Sequence, residues 1–413
     1  MCIVRESRGR TWSANNYTHI HKTGYYDSQN IVACTDPHTG EVVLSVILHH
    51  SHNHEGGAGL RLYHTISRDQ GRSWTALKPV EPSLTIQSHD GYQLVHENRV
   101  FVFYGFNEGD LRHGDLDLPR SDMQLKDGYW FRYTDDCGKT FSRRYRVPVR
   151  RTQIDRENAW KGEIMGMFCC DKPSIIGDYV YFAFQKTREG GGETPGSEVF
   201  FMRSKNVLVS PDHATWETLP NSDKGLQSPS GRLALGEEPH IMQVDSKNPR
   251  RVFALWRCEV GRIACTYSSD GGLSWDEPFW MTYSGTRDGT QIVRNPRGSL
   301  TPHRLRKRTQ DGRLMYLLIF YNNGHTERDG YVGRRVYWFV VGTESKTKPK
   351  TLTWSQPEIA LYWDGEAMDD RPDWSMFDIG AHENFSLSLS LSHIYTRTHT
   401  HTHNTNRRRL GDS

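Results

Sequence analysis

At 413 residues, with 35% hydrophobic residues, 37 Gly and 18 Pro, the chain fits one sheet-built domain or two average ones, soluble and rich in turns. No apolar run is long enough to span a bilayer, so a helical membrane protein is excluded. The net charge of +3 comes from basic residues scattered through the chain rather than gathered in a stripe, which argues against a nucleic-acid binder.

The first 20 residues form a poorly defined segment, and Met1–Glu6 shows no apolar signal core, leaving the compartment open with the cytoplasm as default. Few helix formers and many aromatics (12 Trp, 19 Tyr, 16 Phe) predict strands. Strand-like runs include Arg99–Tyr104, Tyr179–Phe184 and Leu314–Tyr321. The seven cysteines lack zinc spacing and cannot all pair, so most read as buried thiols. The loop His49–Glu55 carries four histidines, readable as a metal site or, without a spaced partner, as a solvated loop. No metal and no cofactor is expected. Gly190–Gly192 lacks the lysine and helix of a phosphate loop.

Three octapeptides share one pattern: Ser67–Trp74, Thr134–Phe141 and Ser268–Trp275 each place a hydroxyl residue, Asp two later, Gly two after that and an aromatic three further on. The carboxylate accepts hydrogen bonds from turn N–H groups, Gly takes a positive φ, and the aromatic opens the outgoing strand, ready to pack between sheets. Weaker copies run from Arg203 to Trp216 and from Thr343 to Trp354. Four short strands per repeat, with turns between them, describe a β-propeller blade.

The octapeptide resembles the Asp box of the sialidase superfamily. Residues 160–365 resemble its BNR-repeat members through Lys172-Pro173, Arg203–Asn206, Glu237–Ile241 followed by Phe253–Arg257, Gly333–Trp338, and Trp354–Ile359. The resemblance implies an all-β, six-bladed β-propeller over residues 20–380. With only about 25 plausible residues after Trp354, the last blade is expected to be incomplete, with an unpaired edge or poorly formed strands.

It also implies an exo-α-sialidase-type glycoside hydrolase acting on terminal acidic sugars, with sialylated or other acidic glycans as partners. A substrate carboxylate calls for arginines, and a neutral Tyr nucleophile activated by a Glu avoids like-charge repulsion at the anomeric carbon. Glu238 matches the Glu role and Arg257, 19 residues later, the second arginine. Glu237 is the adjacent alternative, because successive strand residues face opposite sides. Arg334 matches the third arginine, with Arg335 beside it, and Arg297 either lines the mouth or is a charged turn residue. The first arginine's place holds Tyr25-Tyr26-Asp27, and Glu55 or a histidine stands where the acid/base Asp belongs. No nucleophilic Tyr is in place, since Tyr362 comes too early. The chain is therefore expected to hydrolyse sialosides poorly or not at all, and a non-catalytic glycan-binding propeller is the alternative.

From residue 381 to 413 the composition collapses into Ser-Leu and Thr-His alternation, read as a disordered tail, with His399, His401 and His403 able to hold a metal ion. The oligomeric state is left open.

Overall fold

The computed structural model describes residues 2–5, 11–13, 20, 25–51, 61–82, 88–107, 124–125, 129–158, 161–188, 196–229, 236–258, 260–285, 291–295, 298–321, 336–346 and 351–363. The tail 381–413 lies outside the described residues.

Two strands, β1 (Cys2–Arg5) and β2 (Thr11–Ser13), precede the first blade. Blade I contains β3 (Tyr25–Thr35), β4 (Val42–Ser51), β5 (Arg61–Ser67) and β6 (Lys78–Pro79). Blade II contains β7 (Ser88–His96), β8 (Arg99–Phe106), β10 (Tyr129–Thr134) and β11 (Tyr145–Val147), while the intervening β9 (Gln124–Leu125) joins blade III. A short helix α1 (Gln153–Arg156) leads into blade III, built from β12 (Met165–Phe168), β13 (Ser174–Ile176), β14 (Tyr179–Thr187), β15 (Glu198–Ser204) and β16 (Glu217–Leu219). Blade IV is β17 (Glu237–Gln243), β18 (Val252–Arg257), β19 (Ile263–Ser268) and β20 (Phe279–Trp280). Blade V is β21 (Leu300–Arg304), β22 (Met315–Tyr321), β23 (Val336–Glu344), β24 (Leu352–Trp354) and β25 (Glu358–Trp363). Each sheet is antiparallel, and apolar clusters fill the spaces between blades I and II, II and III, III and IV, and IV and V.

The described residues thus form five blades, which corrects the expected six. Among the described residues no sixth four-stranded sheet opens after Trp354: β25 continues the edge that β24 begins on β23, pairing Phe339 with Glu358 and Val336 with Tyr362. The expected unpaired edge after Trp354 is also corrected, because β1 adds to β25 through Cys2↔Trp363 and Ile3↔Tyr362, and β2 follows outside it. Strands from both ends of the chain share one sheet, a closure that removes an exposed edge.

All five repeat turns join the third to the fourth strand of the main run of their blade. In the first, Asp69 Oδ1 accepts from the Ser73 N–H and the Ser67 hydroxyl, both at 2.8 Å, and the Gly71 N–H donates to Ser67 Oγ at 2.7 Å. The Ser73 hydroxyl and amide bonds pull the Asp69 carboxyl down to about 2. Thr134/Asp136/Gly138 and Ser268/Asp270/Gly272 repeat the arrangement, with the glycines at φ 87° and 86°. The aromatic that follows packs onto the preceding blade. Phe141 meets His64 edge-on at 5.6 Å, Trp216 meets Phe103 at 5.9 Å, Trp275 stacks on Phe201 at 4.5 Å, and Trp354 lies 6.5 Å from Phe253.

Candidate functional site

In blade IV, β17 starts and β18 finishes at the end of the blade opposite the 268–275 turn, because Glu237 pairs with Arg257 and Val252 with Ser268. The register slips between Glu237 and His240, so one extra residue is accommodated in β17. The slip falls at Glu238-Pro239, and Pro has no N–H for the ladder to lose. Glu238 takes φ 46°, a left-handed conformation that a residue with a Cβ adopts at a cost, and its N–H donates to Gln185 Oε1 of blade III at 2.6 Å.

The bulge overrides strand alternation. Arg257 Nη2 lies 2.9 Å from Glu238 Oε1, and its Nε lies 3.4 Å from Glu237 Oε2. Both carboxylates converge on one guanidinium, with side-chain exposures of only 3% for Glu237, 12% for Glu238 and 13% for Arg257. Charge-assisted contacts of this kind fix a guanidinium plane and concentrate acid at one strand end. Arg334, Arg335, Arg297 and Glu55 lie outside the described residues. Next to Arg297, Asn295 Oδ1 accepts from the Gly298 N–H at 2.8 Å and its Nδ2 donates to the Tyr321 carbonyl at 3.2 Å.

Farther along β17 from the Glu–Arg cluster, three blades meet in a polar group that the sequence reading missed. His240 Nδ1 is 2.9 Å from Asp171 Oδ1, and Asp171 Oδ2 accepts from the Ala183 N–H at 2.8 Å. Burial pushes the Asp171 carboxyl up, against the pull of His240. Burial, then the charges of Lys172 and His240, bring His303 of blade V down to about 3.

The same kind of slip recurs near the start of β3, between Asp27 and Asn30, and of β7, between His89 and Tyr92. Asp90, in the second of these, is buried at φ 52° and is a further acidic candidate at the blade position of Glu238. Its Asp-Gly dipeptide was the available signal. Gly91 is required there, since a Cβ would come 2.4 Å from Leu62 Cδ1, and its N–H donates to His49 Nε2 at 3.1 Å. His49 is thus a buried interblade acceptor, and among the described residues no His, Cys, Asp and Glu are grouped to hold a metal ion. No described helix is long and apolar enough to cross a membrane.

No family model and no curated protein matches the chain. Solved structures do. The NanB sialidase of Streptococcus pneumoniae superposes with a TM-score of 0.54 at 12% identity, over 84% of this chain and 64% of that one. The intramolecular trans-sialidase of Ruminococcus gnavus, solved with oseltamivir carboxylate, gives 0.51 at 15% identity, over 82% and 85%. The Trypanosoma rangeli sialidase, solved with sialic acid, gives 0.50 at 12% identity, over 100% and 61%. The chain thus spans less than two thirds of the pneumococcal and trypanosomal proteins. The class defined by fold and topology is an all-β propeller of sialidase-like architecture.

Proposed function

We propose that this chain recognises the terminal acidic sugar of sialylated or related glycans at the blade ends opposite the repeat turns, and that it turns such substrates over weakly or not at all. The observation that carries the reading is the bulge at Glu237–His240, which sets Glu238 in a left-handed conformation against Arg257 at 2.9 Å. Strained backbone that neighbours hold in place gathers at ligand sites, and bulges re-aim side chains there.

In this proposal Arg257 is the carboxylate anchor, with Arg334, Arg335 and Arg297 the further cationic candidates. Glu238 is the base of a sialidase-type centre and Glu237 keeps Arg257 oriented. Glu55 is the candidate for the acid/base position. The weak-turnover part rests on the sequence reading, in which no tyrosine matches the nucleophile's place, and loss of a covalent nucleophile costs several orders of magnitude. The likeness to sialidases supports the fold behind this reading.

The test pairs sialic acid binding, by calorimetry or ligand-observed NMR, with hydrolysis of a fluorogenic sialoside. The expected result is binding that Arg257→Ala removes, with turnover barely above background. Loss of binding in Glu238→Gln alone would overturn the Arg257 anchor and place recognition in hydrogen bonds to the Glu238 carboxylate. No binding by the unaltered chain refutes the recognition. Robust turnover abolished by Glu238→Gln refutes the weak-hydrolysis part and makes the chain an active glycosidase.

A further inference from the structure

Cys34, on β3 of blade I, and Cys137, in the repeat turn of blade II, lie in one buried cluster, at 3% and 0% exposure. Cys34 Sγ lies 3.7 Å from the Val43 carbonyl oxygen, and Cys137 packs into the same small cluster with Val32, Val43 and Val100. The segments carrying them are tied side by side. Two residues beyond each cysteine, Asp36 and Lys139 form an ion pair at 3.2 Å, and Arg68 reaches the same Asp36 oxygen at 2.5 Å. On the other flank Phe141 meets His64, and the approach at Gly138 is so close that a Cβ would fall 1.9 Å from the His64 ring. Three other described thiols each meet an oxygen: Cys169 the Ala183 carbonyl at 3.3 Å, Cys265 the Phe279 carbonyl at 3.5 Å, and Cys258 the Ser228 hydroxyl at 3.1 Å.

We propose that Cys34 and Cys137 form a disulfide under peroxide oxidation, a covalent modification that staples blade I to blade II. Packed in one cluster, the two thiols split in proton affinity, Cys137 falling and Cys34 rising, so Cys137 reacts first. Its sulfur attacks one peroxide oxygen, the O–O bond breaks, and the departing hydroxide takes up the thiol proton as water. The Cys137 sulfenic acid is then attacked by the Cys34 sulfur. The S–S bond forms, the S–O bond breaks, and a second water carries off the Cys34 proton. Two thiols lose two electrons in all, and one peroxide becomes two waters. The bridge closes a loop of about 100 residues, which restricts the unfolded chain more than the folded one.

The test uses the whole native chain, titrated with hydrogen peroxide, alkylated and digested with trypsin without reduction. Each of the two cysteines has its own tryptic peptide, residues 23–61 and 133–139. The expected product is that linked pair, with free thiols falling from seven to five and returning on treatment with dithiothreitol. The melting temperature should rise by about 5 °C on oxidation, and Cys34→Ala or Cys137→Ala should abolish the rise. The proposal is overturned by any of three results: no linked peptide at peroxide exposures that fully oxidise glutathione, linkage of a different pair, or linkage only in urea. The peptide map of the unaltered chain decides the matter even where a variant fails to fold.

Discussion

Lys186→Met removes one half of a fully buried ion pair. Lys186 Nζ lies 2.6 Å from Asp155 Oδ2, 2.7 Å from the Arg150 carbonyl and 3.2 Å from Thr152 Oγ1, and both charged side chains are 0% exposed. Asp155 also caps α1, accepting from the Thr152 N–H at 2.8 Å. With methionine in place, that carboxylate keeps its cap bonds and loses its only ion-paired cation among the described residues, an arrangement that costs about 3–5 kcal/mol. The double variant Lys186→Met/Asp155→Leu removes the stranded charge and loses chiefly the cap, about 1–2 kcal/mol. Urea unfolding followed by tryptophan fluorescence measures both. The double variant should be the more stable of the two. A Lys186→Met chain within 1 kcal/mol of wild type, or a double variant no better than the single, would refute the reasoning. The effect should also reach the site, because the neighbouring Gln185 holds the Glu238 amide.

Burial first, and then the Lys78 charge, bring His64 from the ordinary value near 6.5 to about 4. The unfolded chain therefore takes up a proton below pH 6.5 that the folded chain refuses until about pH 4. This contribution is whole above pH 6.5 and falls by about 3 kcal/mol as the pH drops through that window. The stability difference between wild type and His64→Asn should shrink accordingly from pH 7 to pH 4 in urea titrations, and a constant difference would contradict it. Glu238→Gly should unfold at the same or a higher temperature than wild type, since glycine meets φ 46° without cost and Glu237 still neutralises Arg257 at 3.4 Å. A loss of more than about 1 kcal/mol in calorimetry would show that Glu238 carries stability rather than strain.

The repeat was legible because its chemistry is local. A hydroxyl, an Asp and a Gly within five residues build a turn without help from elsewhere, and all five turn markers fall between the third and fourth strands of five blades. The blade number was carried by resemblance instead, and it failed where long-range pairing decides: whether β25 opens a new sheet or extends β23 depends on residues at both ends of the chain. Glu238 and Arg257 were reachable from their motif and their spacing. That Glu237 shares the same guanidinium was not, because alternation along a strand predicts opposite faces and only the register slip reverses it. Asp171 and His240 stand 69 residues apart on different blades, and no pattern along the chain joins them.

The two ends of the blades are held together by different means, and the difference bears on where a ligand belongs. At the repeat turns the hydroxyl, the Asp carboxylate and the Gly N–H satisfy one another within the octapeptide, so that core of the turn is complete before blades meet, and its aromatic then welds it to the blade before. At the opposite end the inner strands of blades I, II and IV slip register, and in two of them an acidic residue sits in a left-handed conformation, at Asp90 and Glu238. Each such residue costs about 1–3 kcal/mol. What holds these bulges comes from the neighbouring blade: His49 accepts the Gly91 N–H, and Gln185 accepts the Glu238 N–H. The bulged end therefore depends on blade-to-blade docking, whereas the left-handed residues of the turn end, Gln70 and Cys137, sit in turns closed by their own octapeptides. A small displacement between blades would release Glu238 from Gln185 and alter its approach to Arg257, while leaving the Asp69, Asp136 and Asp270 turns intact. A propeller that served only as a scaffold would gain by relaxing these bulges to regular strand. Their presence at one end, in more than one blade and with carboxylates at the strained positions, is the physical argument for placing recognition there.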